Sequence, residues 1–238
     1  MRTPTDTMLF LNYTPRSDVD ARGYDVWVRD IDNLFWSNTP GIAHYTNWKI
    51  ARTLVGALPF THFDFMFLDE IDGFGKVFGR EDAQAFAKGW SDDWGRLPQS
   101  EDPADNAHIH RCAPVAVPSS GFVCDRTLLL ATSARRDGAD DAAYDAWLAK
   151  CGRTFVGSLP GVEYVAHWRI AESIIGTDRF TDIDVVLVDP AVAAEELGAA
   201  DGIGEFASLW RENWGARPGA ALGESIQIAA CSLISAPH

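Results

Sequence analysis

Six histidines, at positions 44, 62, 108, 110, 167 and 238, are the side chains of this chain best suited to moving protons near neutral pH. Four of them, His44, His62, His108 and His110, fall in the first half of the sequence. In His108-Ile109-His110 the alternation of a β-strand puts both imidazoles on one sheet face. Asp64 shares a strand face with His62, and a carboxylate there can orient an imidazole and stabilise its cation. Tyr45 is a neighbour on a preceding strand. The candidate catalytic set is therefore His108, His110, His62, Asp64, His44 and Tyr45. Such a group takes a proton from one carbon or oxygen and returns it to another, which suits an isomerase, lyase or cyclase that uses no cofactor. The competing use is metal: H-x-H presents two ligands, and a third histidine with a carboxylate could complete a zinc or iron site. Gly73, Gly75 and Gly79 depart from phosphate-loop spacing and read as a loop over a pocket mouth. No G-x-S-x-G or P-loop sequence occurs.

The elements that must position these residues come in two copies. Shifted by 120 residues, Tyr24-Asp25-x-Trp27 lands on Tyr144-Asp145-x-Trp147, and Pro40-Gly41 lands on Pro160-Gly161. Trp48-x-Ile50-Ala51 matches Trp168-x-Ile170-Ala171, and Phe60-Thr61 with Asp64 matches Phe180-Thr181 with Asp184. Phe86, Trp90, Trp94 and Gly95 match Phe206, Trp210, Trp214 and Gly215; near the end the shift is 119, placing Cys112 on Cys231. Self-similarity in one phase across the unit marks a tandem duplication.

Each copy reads β-α-β-β-α-β. In the first, strands are predicted over residues 8–13, 42–52, 62–69 and 107–114. Helices are predicted over about 19–32, with Asp18 as N-cap, and about 81–94. Units of 1–115 and 127–238 joined by a linker over 116–126 follow. Phe63, Phe65 and Phe67 are assigned to the helix side of their strand, which gives His62 and Asp64 to the opposite face. A hairpin with residue numbers summing to 113 sets Lys49 against Asp64, as Arg169 faces Asp184, in cross-strand ion pairs. Residues that recur in both halves serve the shared fold, whereas polar residues present once are candidates for chemistry. His44, His62, His108 and His110 have no histidine counterpart; the second half has its own singleton, His167, opposite Asn47.

The fold class is α+β: two fused ferredoxin-like units whose uncovered sheet faces pack on one another as an intramolecular α/β barrel. In that strand order strands three and four are almost 10 Å apart, which weighs against a tight metal cage of His62, His108 and His110. The element order, the Pro-Gly before strand two and the aromatic strand-three/helix-two region resemble the dimeric α/β-barrel superfamily, EthD-type members above all. The resemblance covers nearly the whole chain. It implies a barrel interior that holds a small aromatic or lactone-like ligand, and it spans isomerases, cyclases, cofactor-free monooxygenases, haem enzymes with a barrel histidine as axial ligand, and binding or stress proteins. The expectation is an enzyme acting on an aromatic or cyclic metabolite by histidine acid–base chemistry. A metal or haem enzyme and a non-catalytic ligand-binding or stress protein stand as alternatives.

Composition narrows the partners. A formal charge of −14 argues against nucleic acid and against an anionic membrane surface. No apolar run approaches the roughly 20 residues of a spanning helix. Cys112, Cys124, Cys151 and Cys231 form no C-x-x-C pair, so reduced thiols and a cytoplasmic location are expected. The duplication supplies both half-barrels, compatible with a monomer or a homodimer.

Overall fold

The computed structural model describes residues 7–70, 72–95, 107–118, 126–176, 180–192, 196–197, 201–215 and 226–236. Cys124 and His238 lie outside them. Eight strands, β1 (Met8–Tyr13), β2 (Ile42–Val55), β3 (His62–Leu68), β4 (Ala107–Ala116), β5 (Thr127–Ser133), β6 (Val162–Ile175), β7 (Asp182–Val188) and β8 (Ile226–Ser235), close into one antiparallel barrel in the order β1-β3-β2-β8-β5-β7-β6-β4. β2 and β6 are long enough, at 14 residues each, to pair with β3 and β7 and then to reach across to β8 and β4. Those two reaches close the barrel and join the halves.

Helices α1 (Ala21–Trp27) and α2 (Asn33–Ser37), linked by a π-helical turn over Val28–Asp32, follow β1, and α5 (Asp141–Ser158) holds the matching place after β5. The N-caps are Asp20 and Asp140, whose carboxylates accept from Gly23 N at 2.8 Å and Ala143 N at 2.7 Å. Asp18, the expected cap, is held by Arg16 instead. Helices α3 (Gly73–Phe78), α4 (Glu81–Asp93) and α6 (Asp201–Trp214) complete the outer layer. Of the glycines read as a mouth loop, Gly73 and Gly75 lie in α3, which buries Val77, and Gly79 caps its C-terminus. Gly41 and Gly161, with φ of +97° and +63°, supply the left-handed residue that turns the chain into β2 and β6. The recurring tyrosine–tryptophan pairs are structural: Trp90 Nε1 donates to Tyr24 Oη at 3.0 Å and Trp210 Nε1 to Tyr144 Oη at 3.1 Å.

The barrel interior is packed rather than hollow. Phe10, Trp48, Phe63, Phe65 and Phe67 from the first half interlock with Leu128, Leu130, Trp168, Val185 and Leu187 from the second in one cluster. An eight-stranded barrel encloses about the width that side chains fill, so the bulkiest alternate residues go inside. This corrects two expectations. Phe63, Phe65 and Phe67 face the barrel axis, not the helices, and the space for a ligand lies outside the barrel wall. A sheet buried on both faces groups residues by alternation without saying which group points inward. Among the described residues no helix is long and apolar enough to cross a membrane, and Cys112, Cys151 and Cys231 are free thiols.

Candidate functional site

The site-like space is a cavity of about 440 Å³ in the second half, between the outer face of the sheet and helix α5. Its sheet wall alternates along the strands: Leu129 and Ala131 of β5, Val165 and His167 of β6, Asp184 and Val186 of β7, and Ile228 of β8. Leu148, Gly152, Phe155 and Val156 of α5 and Phe206 of α6 form the other side, with Phe155 stacked on Phe206 at 4.4 Å. The exposed Ala116 and Ala149 lie at the edge, next to solvent. Mostly apolar walls with a few convergent polar groups are the usual build of a small-molecule site.

The polar groups gather at one end. His167 Nδ1 lies 2.8 Å from Asp184 Oδ1, and Nε2 lies 3.4 Å from Asp182 Oδ1. Asp145, also on the wall, is bound by Arg169 at 2.5 Å. His167 is 4% exposed. Burial alone would drive its proton off, but Asp184 and Asp182 outweigh that and hold the imidazole up at about 9. The side chain is thus an imidazolium at neutral pH. Asp182 is fully buried; burial works against its charge, but His167, Thr181 and Arg135 bring its carboxyl below the ordinary value.

The duplication supplies an internal comparison. The equivalent space of the first half is nearly filled, retaining about 100 Å³. Where the second half has Val165, Val156, Val186, Ala131 and Gly152, the first has Tyr45, Trp36, Met66, Leu11 and Asp32. The π-helical turn ends on Asp32, which with Asn33 is buried beneath the helix. Tyr45 Oη lies 2.9 Å from both Asp32 Oδ2 and Asp64 Oδ2, and Asn47 Nδ2 reaches both carboxyls at 3.0 and 2.9 Å. A hydroxyl carries one proton, so two carboxylates cannot both accept from it; a carboxyl proton must complete the second bond. Burial raises Asp32 to about 7, and burial with the Asp32 charge pushes Asp64 well above the carboxylate range.

The residues singled out from sequence are split by the barrel wall. Tyr45, Asp64 and His62 do share a face, but it is the helix-facing one. His62 there stacks on Tyr13 at 5.9 Å, and burial lowers it to about 4. His108 and His110 point to the barrel interior as expected. His110 is stacked on Phe10 at 6.2 Å and lies 3.0 Å from Ser173 Oγ. His44, beside Phe67 at 5.9 Å, is on that inner side as well, and burial lowers it. The expected convergence of His62, Asp64, His108 and His110 on one cavity therefore does not form, because the two pairs leave their strands in opposite directions. Among the described residues no group of three or more His, Cys, Asp or Glu side chains is placed to hold a metal ion.

The hairpin register differs by two residues from the expected one: Asn47 faces Asp64 and Lys49 faces His62, as His167 faces Asp184 and Arg169 faces Asp182. Lys49 pairs instead with Asp25 of α1 at 2.5 Å. A slip of two keeps every face and changes every partner. That is how the His167–Asp184 contact was missed, although His167 stood out as a singleton. The second signal was volume: small residues in one copy against large ones in the other.

No protein-family model matches the sequence, and no curated protein matches it. Solved structures match along nearly the whole chain. A candidate monooxygenase of Fusobacterium nucleatum subsp. nucleatum ATCC 25586 superposes with a TM-score of 0.60 at 9% identity, covering 99% of this chain and 94% of its own. An anthrone oxidase-like protein gives 0.57 at 10%, covering 97% and 92%. A candidate chlorite dismutase gives 0.52 at 11%, covering 94% of each chain. At such identities the likeness is one of fold, an α+β chain with a closed antiparallel barrel.

Proposed function

We propose that this protein is an enzyme that moves a proton on a small aromatic or cyclic metabolite held in the second-half cavity. The observation that carries the reading is the pairing of a 440 Å³ mostly apolar space with an ion pair between the buried His167 and the half-buried Asp184 at one end. Asp184 is the proton acceptor for an acidic C–H or phenolic O–H of the substrate. The His167 imidazolium bonded to it stabilises the anion left behind, which apolar walls would otherwise disfavour. That chemistry serves an isomerase, lyase or cyclase, and the names of the monooxygenase and anthrone oxidase-like neighbours add reaction of the resulting enolate with dioxygen. Metal ligation by His167 fits poorly, since each ring nitrogen is turned to a carboxylate. We read the architecture as two ferredoxin-like units, 1–115 and 127–238, joined by 116–126, with the site in the second. The EthD-type kinship rests on sequence punctuation alone.

Titration with 1-naphthol and turnover of anthrone test the reading. Saturable binding and turnover, both lost on Asp184→Asn, are expected. Binding and turnover unchanged in that variant would refute it. A second reading, a non-catalytic carrier, is favoured by the mostly apolar walls. It predicts naphthol binding without conversion of any enolisable ligand.

A further inference from the structure

We propose that Arg135 and Asp182 are positioning residues that hold His167 charged and aimed at Asp184, a role that rests on the second-half cavity being the working site. Asp182 is 0% exposed and accepts from Arg135 Nε at 2.6 Å and Thr181 Oγ1 at 2.7 Å, with Arg169 Nε at 3.4 Å. Arg135, 7% exposed, is itself fixed on three sides. Its Nη1 donates to Asp141 at 2.7 Å, its backbone N donates to Thr181 Oγ1 at 2.9 Å, and its guanidinium lies 4.7 Å over the Tyr144 ring.

His167 Nε2 is buried and makes no hydrogen bond of good geometry, yet it sits 3.4 Å from the Asp182 carboxylate. Asp182 therefore holds it by charge and by a long contact to Nε2 rather than by a well-formed hydrogen bond. It draws Nε2 inward and leaves Nδ1 to meet Asp184 on the cavity wall. An Asp182 carboxylate buried without Arg135 would take up a proton and lose that hold.

The groups facing His167 from the packed elements are Asp182 and Asp184 of β7, Arg169 on its own strand, and Tyr144 and Asp145 of α5, with Arg135 and Asp141 behind them. The duplication says which of these the fold does not require. Positions 135, 182 and 167 correspond to Pro15, His62 and Asn47 in the first half, where the cavity is closed. Asp145, Tyr144 and Asp184 recur as Asp25, Tyr24 and Asp64. The three residues that make up this chain of charges are present only where the cavity is open.

The experiment follows His167 itself, by NMR titration of histidine-labelled protein, alongside the pH profile of 1-naphthol binding. In Asp182→Asn the His167 midpoint is expected to fall by about one pH unit or more, and the alkaline limb of naphthol binding to move down with it. Arg135→Lys, which keeps the charge but not the fork, should give a smaller fall in the same direction; it carries the test if Asp182→Asn does not fold. An unmoved midpoint in a folded variant overturns the proposal, whatever naphthol does. A lowered midpoint with naphthol binding indifferent to pH in every protein supports the positioning role while removing the cavity assignment.

Discussion

Replacing both Asp32 and Asp64 by Asn should change how the stability of this protein depends on pH. In the folded chain Asp32 rises from an ordinary aspartate value of 3.8 to about 7 because it is buried, and burial together with the Asp32 charge raises Asp64 well above its ordinary value. A carboxyl whose folded pKa is raised binds its proton more tightly in the native state. Its contribution is complete below about pH 4 and is lost as pH rises through about 7. Three pH units at 1.36 kcal/mol each give about 4 kcal/mol for Asp32 alone. Water entering the adjoining space of about 100 Å³ would reduce that figure by screening. The Asn variant retains oxygens that accept from Tyr45 and Asn47 but has nothing to titrate. Urea unfolding at pH 5, 6, 7 and 8 gives the comparison. The wild-type free energy should fall relative to the variant by a few kcal/mol across the range, most steeply between about pH 5 and 6, with the Asp32 part levelling off above about 7. Taking the difference between the two proteins cancels the histidines. Parallel curves would refute the shared-proton assignment and the burial argument behind it.

The twin cavities make a second test: Val156→Trp with Val165→Tyr copies the first-half residues into the second. 1-Naphthol affinity should drop at least tenfold, about 1.4 kcal/mol, with circular dichroism unchanged. His167→Asn, the first-half residue at that place, leaves Asp184 without its cation while Asp182 keeps Arg135, and should cost about 2 kcal/mol at pH 7. Because the His167 contribution is complete below about 6.5 and is lost as pH rises through about 9, the deficit measured by denaturation should shrink between about pH 6.5 and 9 and level off above that. His110→Ala removes a side chain with 0% exposure stacked on Phe10, so stability should fall by about 2 kcal/mol or more. Naphthol binding at saturation should be unaffected, since His110 is on the other face of the barrel wall from the cavity; a weakened affinity in folded protein would contradict that placement.

The duplication, the strand and helix order and most element boundaries were legible in the sequence, because they rest on local alternation, turn chemistry and repeated aromatic residues. So was the sharing of one face by Tyr45, His62 and Asp64, and of the other by His108 and His110, since alternation is a property of the strand alone. Which face points inward was decided only by closure of the barrel, which buries both faces and gives the interior to Phe63, Phe65, Phe67 and Trp48. The partner of each polar residue depended on a hairpin register that two-residue alternation leaves open, so Asp184 met His167 rather than Arg169. The location of the cavity depended on summed side-chain volume across strands and helix, a quantity set by Val165, Val156 and Gly152 together and by none of them singly.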